Sequence, residues 1–222
     1  NDYAASLAAL ARDYGVHAPV QIVHLPFWAP LARQLQQTRQ WRVTYDCMDE
    51  WDSFPGIGAP LPEAECDLVR DSDLVTVTSQ LLLDKWREAA PGALLVRNGV
   101  DNGFFAERLA PNALLAGISR PIIGFYGALA EWVDFQLIAD LADAAPDWSF
   151  VLIGDHFTAE VDSIRGKPNV HLLGLRPYCD MPGYLFNFDA CIIPFKLNKI
   201  THAVDPVKFY EYISSGKPVV SV

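Results

Sequence analysis

Short apolar runs alternate with amphipathic stretches over nearly the whole chain, and two periods separate them. Alternating or continuous apolar residues predict strands at Pro19 to Leu25, Arg42 to Asp46, Leu74 to Thr78 and Leu94 to Val96. Apolar residues spaced three or four apart predict helices over residues 1–14, 30–39 and 61–70, and a further one that Ser79 caps and Pro91-Gly92 ends. A second series opens at Ile122 to Tyr126. It continues with strands at Ser149 to Ile153, Val170 to Leu173 and Asp189 to Ile193, and with helices over 132–144 and 182–187. This alternation predicts an α/β protein built on parallel sheets with helices on both faces. The irregular stretch from Val100 to Arg120, with Gly103, Pro111 and Gly117, marks a boundary. The expected division is residues 1–104, a linker over 105–120, and residues 121–222. Ligands of such sheets bind beyond the carboxyl ends of the strands, which assigns the loops after Tyr126, Ile153, Leu173 and Ile193 to the ligand side.

The last predicted helix has sharp limits. Asp205 is suited to accept from a free N–H of the first turn, and Pro206 suits the first helical position. Gly216 can turn left-handed past the end, and Pro218 leads into the apolar Val219 to Val222. Lys208 lies in the first turn, where the helix dipole is already positive. A cation there makes sense if an anion is bound at the helix start. Glu211, three residues on, shares its face and can accept from sugar hydroxyls; an intrahelical Lys–Glu pair is the plain alternative.

Glu211, followed by Ser215, Gly216, Lys217, Pro218, Val219 and Val220, resembles the second half of the donor-binding motif of family 4 glycosyltransferases, which have the GT-B fold. Val96-Arg97-Asn98-Gly99-Val100-Asp101 resembles the turn that closes their N-terminal half. Phe125-Tyr126-Gly127 resembles the opening of the C-terminal half, and Tyr45 through Trp51 their N-terminal cleft loop. The resemblance implies two Rossmann-like parallel-sheet halves, both incomplete at the chain ends, as in a fragment of a longer chain. It also implies that Glu211 holds the ribose of the nucleotide and Lys208 its diphosphate. Gly127, a donor-site glycine or a plain turn glycine, and Asn198 and Thr201, in the loop before the last helix, are further donor-site candidates. Two departures stand out. The family's other glutamate, eight positions before Glu211, is Ala203 here, leaving Asp205 or His202 as substitutes. The loop after Tyr126 lacks the Arg and Lys that grip the diphosphate in many relatives.

Composition narrows the partners. Of 222 residues, 27 are acidic and 17 are Lys or Arg, a net charge of -10, which argues against nucleic acid or an anionic membrane as main partner. The four cysteines have no paired spacing and read as reduced thiols, with no metal framework. Asp46, Asp49, Glu50 and Asp52 follow a strand, where they can meet an acceptor or act as a base, or form a solvated loop. His24 either contacts the acceptor or is a satisfied loop histidine. Asp71-Ser72-Asp73 spells a metal-binding Asp-x-Asp, yet it precedes a strand and reads as a turn. Lys196 and Lys199 support the diphosphate or are solvated.

The resemblance implies a metal-independent glycosyltransferase of hexosyl type. It would move a sugar from a nucleotide-diphosphate sugar to a glycan, lipid-linked or small-molecule acceptor in polysaccharide biosynthesis. The resemblance implies retention at the anomeric carbon. Asp46, Asp49 and Asp205 are the candidate catalytic acids; no cofactor beyond the donor and no metal is expected. The expected setting is cytoplasmic, with at most peripheral contact at the inner face of the membrane. A nucleotide-sugar epimerase of the same fold and a non-catalytic nucleotide-sugar-binding domain are the alternatives.

Overall fold

A computed structural model describes residues 2–54, 58, 60–106 and 113–222. Nine strands are present among them: β1 (Val20–Val23), β2 (Arg42–Cys47), β3 (Leu74–Val77), β4 (Leu94–Leu95), β5 (Ile122–Tyr126), β6 (Ser149–Ile153), β7 (Val170–Gly174), β8 (Ala190–Ile193) and β9 (Val219–Ser221). The α-helices are α1 (Tyr3–Asp13), α2 (Ala29–Arg39), α3 (Pro60–Asp71), α4 (Gln80–Trp86), α5 (Asn102–Ala106), α6 (Phe135–Ala144), α7 (Met181–Leu185), α8 (Lys199–Ala203) and α9 (Val207–Ser214). No helix among the described residues is long and apolar enough to cross a membrane.

The chain forms two compact units, Asn1–Arg97 with His202–Asp205, and Asn98–Thr201 with Pro206–Val222. The division therefore comes after Arg97 rather than after residue 104. The reason is packing. Phe105 of α5 is fully buried in the second unit's core, where it meets Tyr178 edge-on, and Leu115 joins the same cluster. Pro111 of the expected linker lies outside the described residues.

The first unit holds a parallel sheet of order β1-β2-β3-β4. Its β2 buries alternate residues: Val43, Tyr45 and Cys47 pack with Leu68 and Val69 of α3, while Arg42, Thr44 and Asp46 stay on the more open face. Both-face burial, expected from the pattern, is thus a property of the second sheet. There β5 and β6 bury every residue, with one apolar cluster on each face. The close packing is specific. A Cβ on Gly124 would stand 2.0 Å from the buried ring of Phe188, so only glycine lets that ring lie on the sheet.

The second sheet is also parallel, in the order β7-β6-β5-β8-β9. The chain starts in the middle at β5, winds out through β6 and β7, then crosses back to β8 and β9. Strand order reverses between β5 and β8, and the crevice at such a reversal is where open α/β sheets bind ligands. The loop after β5 and the helix α9, which connects β8 to β9, both belong to that end.

Candidate functional site

Three strand ends and one helix build the site in the second unit. Gly127 follows β5, Gly154 and Asp155 follow β6, and Leu175, Arg176 and Tyr178 follow β7. With Tyr126 and Met181 they line a cavity of about 410 Å³, within the range of small-molecule sites. The two glycines are required by their surroundings. Gly127 has φ +142° and Gly154 φ +154°. A Cβ on Gly154 would stand 1.8 Å from the carbonyl oxygen of Gly127, and one on Gly127 2.1 Å from Cε of Lys208. Gly127 and Gly154 therefore bring bare backbone to the cavity wall, and the Lys208 side chain lies against Gly127.

Lys208 is the second residue of α9 and is half-buried. Among the described residues its ammonium makes no hydrogen bond or ion pair; Nζ stands 6.0 Å from the centroid of the Phe125 ring. Burial lowers its pKa, and the nearby charge of Glu211 offsets that only in part. A half-buried cation that no anion hydrogen-bonds among the described residues is held at a cost that a bound anion would reduce. A pH dependence follows, with opposite signs for two observables. Affinity for an anion at that ammonium should fall as pH rises through the depressed Lys208 pKa, at lower pH than for an exposed lysine. Folding stability should rise across the same window, because the folded state then no longer carries a charge it holds poorly while the unfolded chain stays protonated. Anion binding titrated across the alkaline range below the ordinary lysine pKa checks this, with Lys208→Ala expected to flatten the profile.

Glu211 lies one turn deeper and is only 3% exposed. Both carboxylate oxygens are occupied. The hydroxyl of Tyr126 donates to Oε2 at 2.7 Å and that of Tyr178 to Oε1 at 2.5 Å. The Tyr126 phenol is pushed far up, first by burial and then by the Glu211 charge, and Tyr178 likewise, so both stay protonated donors. Tyr126 is fixed in turn: its backbone N–H donates to the Tyr212 hydroxyl, and the two rings meet edge-on. Sequence reasoning missed both tyrosines as partners of Glu211. No local spacing signals a contact across 85 and 33 residues.

The other expected site residues are placed differently. α9 starts at Val207, with Pro206 at the cap position and no side-chain cap; Gly216 is left-handed, as the pattern requires. Asp205 is not that cap. It belongs to the first unit, is buried, and is bonded to Arg97 at 3.2 Å. Nor is it an open acid for catalysis, because a buried carboxylate that pairs with a guanidinium is held in that pairing. Ala203 is fully buried in the first unit's core, so no carboxylate replaces the missing glutamate at that position. Asn198 and Thr201 cap α8 reciprocally: Thr201 N–H donates to Asn198 Oδ1 at 3.0 Å, and Asn198 N–H to Thr201 Oγ1 at 3.1 Å. Their polar groups shape the loop. Lys196 is paired with Glu160.

In the first unit, Asp46 accepts from the Thr76 hydroxyl at 2.6 Å, and its other oxygen lies 3.2 Å from His24 Nδ1. Glu50 and Asp52 pair with Lys85, which also reaches buried Glu65. Burial pulls the Lys85 ammonium down, yet the Glu50 hydrogen bond and the surrounding carboxylates leave it raised. Asp49 differs from its neighbours: it is half-buried, and burial raises its pKa. Asp71 pairs with Arg33, and Asp73 accepts from the Val43 N–H, so the Asp-x-Asp stretch ties α3 and β3 into the unit.

Two parallel sheets of Rossmann-like halves, with the reversal point and bare glycine loops in the second, are the architecture of the GT-B fold. Solved structures agree. The chain superposes on sucrose-phosphate synthase from Thermosynechococcus elongatus with a TM-score of 0.77 at 15% identity, covering 99% of this chain and 59% of that one. It superposes on Anabaena Alr3699/HepE in complex with UDP-glucose with a TM-score of 0.74 at 17% identity, covering 98% and 62%. In sequence it is 31% identical over 197 residues to TuaH of Bacillus subtilis (strain 168), a protein named as a teichuronic acid biosynthesis glycosyltransferase. That match takes in 81% of this chain and 50% of TuaH, so the chain spans about half the length of the curated relative. No family model matches the chain.

Proposed function

We propose that this chain carries the donor site of a family 4-type glycosyltransferase that takes its sugar from a nucleotide-diphosphate sugar. The observation that carries the reading is Lys208: a half-buried ammonium, without an anionic hydrogen-bond partner among the described residues, laid on Gly127 at the start of α9. A diphosphate matches that ammonium in charge, and the start of α9 adds backbone N–H donors. Glu211 then meets the ribose hydroxyls. Support also comes from the relatives: TuaH is named as a glycosyltransferase, and HepE was solved with UDP-glucose.

In the reaction, the bond between the anomeric carbon and the diphosphate oxygen breaks, and an acceptor oxygen bonds to that carbon. Negative charge grows on the leaving diphosphate, where Lys208 and the helix start are already in place to receive it. The acceptor hydroxyl loses its proton. Asp49, whose burial raises its basicity, is the proposed carboxylate of the first unit for that proton, and Asp46 is held by Thr76 and His24 to orient the acceptor. Hexosyl transfer with retention, the acceptor oxygen bonding on the face from which the diphosphate departs, no metal, and a glycan, lipid-linked or small-molecule acceptor complete the proposal.

The buried alanine at 203 favours a second reading, nucleotide-sugar binding without transfer. One experiment separates them. The full-length protein is incubated with a panel of nucleotide sugars and candidate acceptors, and released nucleoside diphosphate is measured beside thermal shift. Transfer predicts acceptor-dependent release. Stabilisation by a donor with no release under any acceptor supports the binding module, and conversion of donor without acceptor supports an epimerase. No shift and no release with any donor would sink the donor-site reading.

A further inference from the structure

We propose that Tyr178 is a specificity-determining residue whose hydroxyl takes the place of a ribose hydroxyl on Glu211 and must leave it for a ribonucleotide to bind. The inference rests on the donor-site reading above. Glu211 is held from two sides by unequal partners. Tyr126, on Oε2, is 5% exposed, belongs to β5, and is locked by Tyr212. Tyr178, on Oε1, is 58% exposed, lies in the loop after β7, and lines the cavity. Both tyrosines line the cavity, but Tyr126 is buried within the sheet while Tyr178 is exposed, so Tyr178 is the partner that can move away. A sugar hydroxyl that arrives through the cavity reaches Oε1 at the place where the Tyr178 hydroxyl donates.

The chemistry of the exchange is balanced. A ribose O–H replaces a phenol O–H on the same oxygen, so no buried acceptor is left bare. The Tyr126 bond persists and holds the carboxylate in its rotamer throughout. What resists the exchange is the seat of the Tyr178 ring, which stacks on Phe104 at 5.7 Å with 19° between planes and meets Phe105 edge-on at 5.8 Å. A ligand without ribose hydroxyls has nothing to offer Glu211, and Tyr178 stays. The tyrosine thereby makes the site discriminate for the sugar hydroxyls: only a ligand that repays the Glu211 bond displaces it.

The test uses the full-length protein with UDP, ADP and GDP and their 2′,3′-dideoxy counterparts. Tyr178→Phe keeps the ring and removes the competing hydroxyl. It should bind the preferred ribonucleoside diphosphate roughly tenfold more tightly, as expected for freeing one hydrogen-bond position on a charged acceptor, with dideoxy binding unchanged. The unliganded variant should melt at lower temperature, because Oε1 is then unpaired. If the wild type binds a ribonucleotide and the variant binds it equally or less well, Tyr178 is no competitor and the inference fails while the donor site stands. If neither protein binds any of the diphosphates, the donor site falls and this inference with it. Should the variant not fold, 3-fluorotyrosine at position 178 gives a second readout. Its 19F resonance should move with the ribonucleotide and stay with the dideoxy form, and an unmoved resonance with bound ribonucleotide overturns the inference.

Discussion

Lys208→Ala is expected to reduce kcat/KM for the nucleotide-sugar donor by a factor of about 100 to 1,000, the range for loss of one preorganised charge-stabilising donor. Most of the loss should fall on kcat, since charge on the diphosphate oxygen grows toward the transition state. The fold should not suffer. Nζ makes no hydrogen bond or ion pair among the described residues, and burial already lowers its pKa, so its removal takes away an unfavourable desolvation. The midpoint of urea unfolding should be equal to or above that of the wild type. This pairing of lost activity with retained stability is the signature of a group held for function. A parallel fall in both would mean that Lys208 is a packing residue. Steady-state kinetics and urea unfolding on the same preparation decide the matter.

The second large effect is expected at Gly154, and it concerns stability. Any side chain there must place its Cβ 1.8 Å from the Gly127 carbonyl oxygen, and φ is +154°. The obstacle is backbone, so it cannot rotate away as a side chain would. Backbone strain costs roughly 1–3 kcal/mol and forced overlap roughly the same. Gly154→Ala should therefore destabilise by about 2 to 6 kcal/mol. That is much of the stability a domain of this size possesses. The expected results are a clear fall in the denaturation midpoint and loss of nucleotide binding, because Gly127 and Lys208 move with the displaced backbone. An alanine variant with an unchanged midpoint would show that the two loops are not in contact.

Much of the fold is legible before any coordinate. β5 and β6 coincide to the residue with the apolar runs Ile122 to Tyr126 and Ser149 to Ile153. Both are continuous apolar runs with every residue buried, and such runs have sharp ends. α5 and α8 were not foreseen. Each carries a short capping signal, Asp101 accepting from the Phe104 N–H and Asn198 with Thr201, but spans only five residues, too few for a hydrophobic period to show. Asp205 illustrates the limit on local rules. Its place before a helix predicts a cap, yet its carboxylate went to Arg97, 108 residues away in sequence.

The sequence by itself determined the parallel α/β architecture, the stop of α9 at Gly216, and the presence of a lysine and a glutamate on one helical face. Those features rest on periodicity and on the backbone preferences of Pro and Gly, which act over a few residues. The tertiary structure alone decided that Lys208 lies half-buried on Gly127, that Glu211 is covered by Tyr126 and Tyr178, and that Ala203 is core. The reason is physical: burial, desolvation and hydrogen-bond partnership depend on which distant segments arrive at the same place, and no local pattern encodes that arrival.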